Sequence, residues 1–292
     1  MYELVKVTDR CYYIDCPSKI GIYKISDSCV ALIDSGNSRE TGKKICKILE
    51  EQGWELRAIY NTHCHADHIG ANKYLQNLTG CKIYAHGIER DFANHPILES
   101  SHIYGAFSPR DLRHNFLLAE ECFAENLTKD ALPEGLELIE LPGHSFDMVG
   151  FRSSDGAFFI GDSVLSKEAL DKYGITFVHD VYAHIETLER LKTTEAKVFI
   201  PSHAAACEDI TALADCNINK VREVEEKILS FCNTPISFEN LLKKLFDAYS
   251  KKMNFDQYAL VGCTTRSYLA ALKNSGKLDV GYDGNIMTWK RV

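Results

Sequence analysis

Three histidines and an aspartate lie within six consecutive residues of this chain, in the run His63-Cys64-His65-Ala66-Asp67-His68. The run follows a short apolar stretch that predicts a strand, and two histidines spaced i, i+2 on an extended segment point to the same side. Both rings can therefore reach one ion, while Asp67 and His68 fall where the chain turns into a helix and can serve a second ion. Imidazole and carboxylate suit divalent metals of borderline hardness, zinc most often.

Three further candidate ligands stand at predicted strand ends among small residues. They are His144 in Pro142-Gly143-His144-Ser145, Asp162 in Gly161-Asp162-Ser163, and His203 in Pro201-Ser202-His203. A single histidine or Gly-Asp step is usually structural, so none of the three is informative alone. Strand ends that converge on one edge of a sandwich can assemble such residues into a site. Together with the 63–68 run they predict a site of seven ligands.

This set of residues resembles the metallo-β-lactamase superfamily over roughly residues 1–212. The resemblance implies an α/β fold, the αββα sandwich, with two divalent metal ions at one edge; zinc is expected, with iron and manganese as alternatives. It implies that His63, His65 and His144 bind the first ion, that Asp67, His68 and His203 bind the second, and that Asp162 bridges the two. Asp34, at an early strand end, matches the family's acidic residue that orients a ligand.

The metals imply a mechanism. A hydroxide that bridges two divalent ions is a nucleophile at neutral pH, because coordination lowers the pKa of water from about 15.7 to about 7. No serine or cysteine nucleophile is then needed, and Asp67 takes part in catalysis as a ligand. A general acid for the leaving group is expected from His179 or Tyr182, which precede the final ligand strand. The structural alternative is that Tyr182 packs its helix.

The elements that position these residues alternate between strands and helices, which indicates an α/β architecture. The runs 11–14, 20–25 and 29–33 are rich in Tyr, Ile and Val and predict an antiparallel meander. A helix is predicted after it, ending at Gly53. Residues 87–133 contain three prolines and no clean period. They predict an irregular helical insert over one end of the core, of the kind that shapes access to a site.

The region after residue 212 has a different pattern. Three predicted helices are followed by two strands around Asp283-Gly284, a hairpin turn signal. This is a winged-helix pattern, so we predict a hydrolase-like domain at 1–212 and a winged-helix-like domain at 213–292. The layout is similar to the β-lactamase-like 2 branch of the superfamily, to which cleavage of single-stranded RNA is attached. Asp147, where many members have a small residue, and the 87–133 insert depart from that branch.

Composition limits the partners. The 292 residues carry a formal net charge of −8, which argues against a nucleic-acid or anionic-membrane surface over the whole molecule. Residues 217–292 hold 12 Lys and Arg against 8 Asp and Glu, a local balance of +4. The first residues lack an apolar signal sequence, and no apolar run approaches the ~18 residues of a membrane span. Eleven cysteines without a CxxC pair predict reduced thiols in a cytoplasmic protein.

Three functions remain open from the sequence. The complete metal site and the insert favour hydrolysis of a small ester, thioester or lactone. The basic tail favours a metal-dependent ribonuclease or phosphodiesterase, although such a tail can also serve only for packing or homodimer formation. The third alternative is a metal-holding regulatory protein without turnover. Glutathione thioesters are disfavoured, because the segment after Asp162 and the tail show no counterpart of the family's glutathione-binding residues.

Overall fold

The structure, a computed structural model, describes residues 2–292. That part of the chain forms fourteen strands and ten α-helices. In chain order they are β1 (Glu3–Lys6), β2 (Cys11–Asp15), β3 (Ile20–Lys24), β4 (Cys29–Ile33), α1 (Arg39–Gln52), β5 (Glu55–Tyr60), α2 (Ala66–Ile69), α3 (Asn72–Thr79), β6 (Lys82–Ala85), α4 (Glu89–Asn94), α5 (Ile97–Tyr104), β7 (Ala124–Asn126), β8 (Leu136–Glu140), β9 (Val149–Ser153), β10 (Ala157–Leu165), α6 (Lys167–Tyr173), α7 (Val181–Leu191), β11 (Val198–His203), α8 (Thr211–Phe231), β12 (Ile236–Ser237), α9 (Phe238–Ala248), α10 (Phe255–Asn274), β13 (Leu278–Asp283) and β14 (Ile286–Arg291).

The first sheet has seven strands in the order β1-β2-β3-β4-β5-β6-β7. β2, β3 and β4 pair antiparallel, which confirms the predicted meander. β4, β5 and β6 are parallel, because helices α1 and α3 carry the chain back between them. Helix α1 begins at the Ser38 cap and ends at Gly53, whose left-handed φ of 68° suits the predicted glycine stop.

The 87–133 insert contains more regular structure than its sequence predicts. Helices α4 and α5 are present as expected. The insert also contributes β7, which pairs parallel with β6 and lengthens the first sheet. A strand of three residues is too short to show the alternating apolar pattern of a strand in the sequence. It forms because it pairs with the free edge of β6.

The second sheet has four strands in the order β11-β10-β9-β8, and the two sheets face each other. Large side chains from both sheets fill the space between them: Tyr23, Ile33, Tyr60, Phe151, Phe159 and Ile200. Helices α1 and α3 cover the outer face of the first sheet, and α7 and α8 cover that of the second. This helix–sheet–sheet–helix layering is the predicted αββα sandwich.

The tail contains the three predicted helices and the hairpin at Asp283-Gly284, and β12 adds a third strand to the hairpin. Ser237 caps α9 by accepting the N–H of Asn240. Helix α8 is longer than its pattern suggests, and the division between residues 212 and 213 falls in its first turn. Its first half packs on the second sheet, while its second half packs on α9 and α10. The winged-helix assignment and the two-domain division stay predictions.

Within residues 2–292, no helix is long and apolar enough to cross a membrane. All eleven cysteines are unpaired in the structure. The cytoplasmic location stays a prediction.

Candidate metal centre

The seven predicted ligands meet at one edge of the sandwich, although they come from five separate places in the chain. Two follow β5, two lie on α2, and the others come from the β8–β9 loop, from β10 and from the end of β11. Three overlapping groups have ligand atoms within 4.8 Å of one another: His63, His65 and His144; His63, His68 and Asp162; and Asp67, His68 and His203. The first and third groups are the two ligand sets that the family resemblance implies.

The first group consists of three imidazoles. Nε2 of His63 and Nε2 of His144 lie 3.0 and 3.1 Å from Nδ1 of His65. Burial holds the pKa of His63 well below its ordinary value and lowers the pKa of His65 to about 4 and that of His144 to about 3. All three rings are therefore neutral near pH 7, the form in which imidazole binds a metal ion.

The third group, Asp67, His68 and His203, combines histidines with a carboxylate and has the opposite electrostatics. Burial alone would lower the pKa of His68, but Asp162, Asp67 and Asp34 together hold it well above its ordinary value. Asp162 and Asp67 likewise outweigh the burial of His203 and raise its pKa to about 10. A divalent cation bound among these residues would displace the protons of the two rings.

Asp162 lies between the two groups. Its Oδ1 is 3.2 Å from Nε2 of His68, and its Oδ2 is 3.3 Å from Nε2 of His203 and 3.6 Å from Nε2 of His144. The sequence predicted that Asp162 stands at a strand end, but it lies within β10. A register shift at Gly161 changes the direction of the residues that follow it. Gly161 has a φ of +53°, which a side chain would disfavour.

The donor set fits two divalent cations. Oδ1 of Asp162 is buried and makes no well-aligned hydrogen bond among the described residues, and its nearest partner is Nε2 of His68 at 3.2 Å. Burying a carboxylate oxygen that lacks a hydrogen bond is costly, and a divalent cation would remove that cost. Five ring nitrogens and two carboxylates within one cluster match borderline divalent metals. The residues present therefore suit the proposed metals.

Asp34 orients the ligand His68, as the resemblance implies. Its Oδ2 lies 2.8 Å from Nδ1 of His68, and its two oxygens accept the backbone N–H and the hydroxyl of Thr62 at 2.8 and 2.7 Å. Nδ1 of His203 is similarly fixed by the carbonyl of Pro17 at 2.8 Å. Such partners set the tautomer and orientation of a ligand.

Gly143 directly precedes His144, and we expect its replacement to destabilise the protein strongly. Its φ is +121°, and an added Cβ would lie 2.2 Å from the backbone nitrogen of His184 on α7. We expect Gly143→Ala to reduce the free energy of unfolding by at least about 3 kcal/mol, the sum of an unfavourable backbone and overpacking. Gly105→Ala is the matched control, because Gly105 has a φ of +84° with no atom within 4 Å of the added Cβ.

Urea unfolding of both variants without metal would measure this difference. The control should lose only the backbone contribution, about 1–2 kcal/mol. Equal losses for the two variants would contradict a steric role for Gly143.

The two predicted general acids lie elsewhere. The ring of His179 stacks on Phe146 with centroids 3.9 Å apart, and the hydroxyl of Tyr182 donates to Ser275 at 3.1 Å. Both residues line a separate cavity of about 760 Å³ that holds none of the seven ligands. The packing alternative for Tyr182 agrees with this geometry, and nothing in it supports a general-acid role for either residue.

The cavity at the ligands has a volume of about 700 Å³. Its wall is mainly apolar, and the insert, the segment after α6 and α10 all contribute apolar side chains to it: Ile103, Leu117, Ile175, Phe177, Leu260 and Val261. The tail therefore builds part of the pocket, which the sequence did not indicate.

The sequence also missed two buried glutamates of the insert, Glu89 and Glu99. Glu99 lines the cavity; its Oε1 accepts the N–H of Ala66 at 3.4 Å, and its Oε2 has no partner among the described residues. Burial raises its pKa well above the ordinary value. An exposed glutamate has the same local sequence pattern, so only the fold reveals these two.

Comparison with known proteins decides the family. A sequence model of the metallo-beta-lactamase superfamily matches residues 14–203, more than half of the chain. The chain belongs to the metallo-beta-lactamase superfamily. Among solved structures, a metallo-beta-lactamase family protein of Thermus thermophilus is similar, with a TM-score of 0.72 at 17% identity, covering 100% of this chain and 98% of that one. This likeness shows that the two proteins share one fold over the whole of this chain, the tail included.

Curated relatives of this superfamily member include three kinds of protein. A beta-lactamase-like protein 2 homolog of Drosophila melanogaster is 21% identical and covers 80% of this chain and 74% of the relative. An atrochrysone carboxyl ACP thioesterase of Aspergillus fumigatus is 22% identical, covering 68% and 54%. A hydroxyacylglutathione hydrolase of Cereibacter sphaeroides is 30% identical, covering 49% and 50%. The chain spans about half the length of the last two relatives.

Proposed function

We propose that this hydrolase of the metallo-β-lactamase fold cleaves small esters or thioesters with an apolar acyl group, lactones included, at a dinuclear zinc centre. The observation that carries the proposal is the apolar cavity of about 700 Å³ that opens directly onto His65, Asp67 and Asp162. Its size and lining suit a small molecule. One relative is named as a thioesterase and another as a hydroxyacylglutathione hydrolase, which supports acyl transfer to water.

The seven ligands would hold two divalent ions, which when bound would supply Lewis-acid activation of the attacking water and of the acyl carbonyl. The chain's own residues do the rest. The ring of Phe177 lies 5.1 Å from the ring of His65 and 5.8 Å from that of His144, so it excludes bulk water on that side. The free Oε2 of Glu99 is available to hydrogen-bond to a substrate in the cavity.

Charge in the cavity argues against RNA as the substrate. Apart from the ligands, the described lining includes the carboxylates of Glu168 and Asp256, whereas Lys172 is its sole lysine or arginine. Several basic residues of the tail are already paired with tail carboxylates, as in Lys220–Glu223, Lys243–Asp247 and Lys273–Asp279. A phosphodiester backbone needs free cations along its path. RNA cleavage and a regulatory metal-holding role are the two alternative functions, and the assays described next distinguish them from acyl hydrolysis.

A series of acyl thioesters of increasing chain length tests the proposal. We expect kcat/KM of the zinc-loaded protein to rise about fourfold per methylene until the cavity is full, because each buried methylene contributes about 0.8 kcal/mol. Parallel assays would use the matching oxygen esters and a single-stranded RNA oligonucleotide. Cleavage of RNA but not of any acyl substrate would overturn the proposal in favour of a nuclease. If neither kind of substrate were turned over, the proposal would be overturned in favour of a regulatory metal-holding protein.

The variant Leu260→Ala would test whether the cavity wall determines which acyl groups are hydrolysed. Leu260 lies on α10 in the cavity wall, so we expect kcat/KM for the longest good substrate to fall about tenfold and that for an acetyl thioester to change little. Leu78→Ala is the matched control, since Leu78 is 58% exposed and does not line this cavity. An equal loss on short and long substrates would show that Leu260 does not contact the acyl chain.

A further inference from the structure

A single buried carboxylate joins the two loops that carry the three-histidine group. Glu89, on the first turn of α4, is only 2% exposed. Its Oε2 accepts the backbone N–H of Cys64 at 2.9 Å. Its Oε1 accepts the hydroxyl of Ser145 and the backbone N–H of Asp147, the latter at 3.2 Å.

These contacts fall at the metal ligands of both loops. Cys64 stands between His63 and His65, and Ser145 directly follows His144. The two loops are 79 residues apart along the chain, measured from His65 to His144. The carboxylate therefore determines how closely the loops approach, although it touches no ligand ring.

The second loop holds α4 in return. Oδ2 of Asp147 accepts the N–H of Ile88 at 2.9 Å, just before α4 begins. A Cβ at Gly87 would lie 2.1 Å from the same oxygen, so only glycine allows this approach. Glu89 and Asp147 thus form a reciprocal pair between the insert and the His144 loop, which we call the loop clamp.

We propose that the loop clamp, Glu89 with Asp147, positions His63, His65 and His144 and thereby sets the affinity of the first metal site alone. The inference takes the three histidines as metal ligands, as the proposed function does, but it does not depend on the substrate. Neither clamp residue contacts Asp67, His68 or His203 by a hydrogen bond in the described residues, so the second site should keep its affinity. Partners of this kind change metal affinity about 10- to 100-fold when they are removed.

Glu89→Gln is the direct test, because it keeps the side-chain volume and replaces one acceptor oxygen with an NH2 donor. The new NH2 group would then face another donor, either the N–H of Cys64 or the hydroxyl of Ser145 and the N–H of Asp147, so one set of hydrogen bonds is lost. Competition with a chromophoric chelator would give the two stepwise affinities for Co²⁺. We expect a 10- to 100-fold loss for one of the two ions and an unchanged value for the other. The visible spectrum of the weakened Co²⁺ should also change, which a general loss of stability would not cause.

Glu121→Gln is the matched control, since Glu121 is an exposed glutamate of the same insert. It should retain both wild-type affinities. Asp147→Asn should weaken the same ion as Glu89→Gln by a smaller factor, and it decides the question if Glu89→Gln does not fold. Wild-type affinities and spectrum in the clamp variants, or equal weakening of both ions, would overturn the loop clamp. A wild-type protein that binds no Co²⁺ would instead overturn the proposed metal sites.

Discussion

Replacing Asp162 with alanine is expected to lower kcat/KM for the best acyl substrate by at least about 10³-fold, equivalent to about 4 kcal/mol of transition-state stabilisation. Asp162 lies within 3.6 Å of ring nitrogens from both ligand groups. Its removal deprives each proposed ion of a ligand and leaves His68 and His203 without their closest shared counter-charge. Both metal content and turnover should therefore fall.

The measurement is steady-state hydrolysis together with elemental analysis of the same preparation. Asp130→Ala, at an exposed position of the insert, is the control and should leave both values unchanged. Asp162→Asn tests charge separately, because it keeps the shape and loses the negative charge. A variant lacking Asp162 that retains two metal ions and near-normal turnover would refute the bridging position assigned to this residue.

Metal binding at the two sites is expected to respond differently to pH. In the metal-free protein the pKa of His203 is raised to about 10 and that of His68 lies well above its ordinary value, so both rings are protonated at pH 7. A metal ion must displace these protons, so affinity at the second site should rise with pH, up to about 100-fold per unit for two protons. The pKa values of His65 and His144, about 4 and 3, make the first site nearly independent of pH above 5.

Calorimetric titration with Zn²⁺ in buffers of different ionisation enthalpy would count the protons released. Between pH 6 and 8 we expect close to none for one equivalent and about two for the other. Equal release by both equivalents would contradict the electrostatic difference between the two groups. The sign is fixed by the raised pKa values, since a group that must lose a proton to bind metal binds more strongly as pH increases.

Local chemistry made much of the site predictable. The 63–68 run places four predicted ligands, three histidines and an aspartate, within six residues. The Pro-Gly-His, Gly-Asp and Pro-Ser-His steps each stand beside a clear strand pattern. Gly53 identified the end of a helix for an equally local reason. The family resemblance then supplied the grouping of the seven ligands.

The remaining features depend on tertiary packing. β7 is recognisable only because β6 offers it an edge, and the burial of Glu89 and Glu99 follows from how the insert folds over the ligand loops. His179 and Tyr182 stand near the final ligand strand in sequence, but Phe146 and Ser275 hold their side chains towards a different cavity. No pattern within one segment encodes contacts with such distant partners.

We propose that this chain hydrolyses acyl substrates only with two divalent ions bound in one cluster. Stepwise addition of Zn²⁺ to the metal-free protein, with bound metal and thioester hydrolysis measured at each step, would decide this. We expect binding to saturate at two equivalents and full hydrolysis to appear only as the second ion binds. Full activity at one equivalent, or hydrolysis by the metal-free protein, would show that the chain does not need a pair of ions.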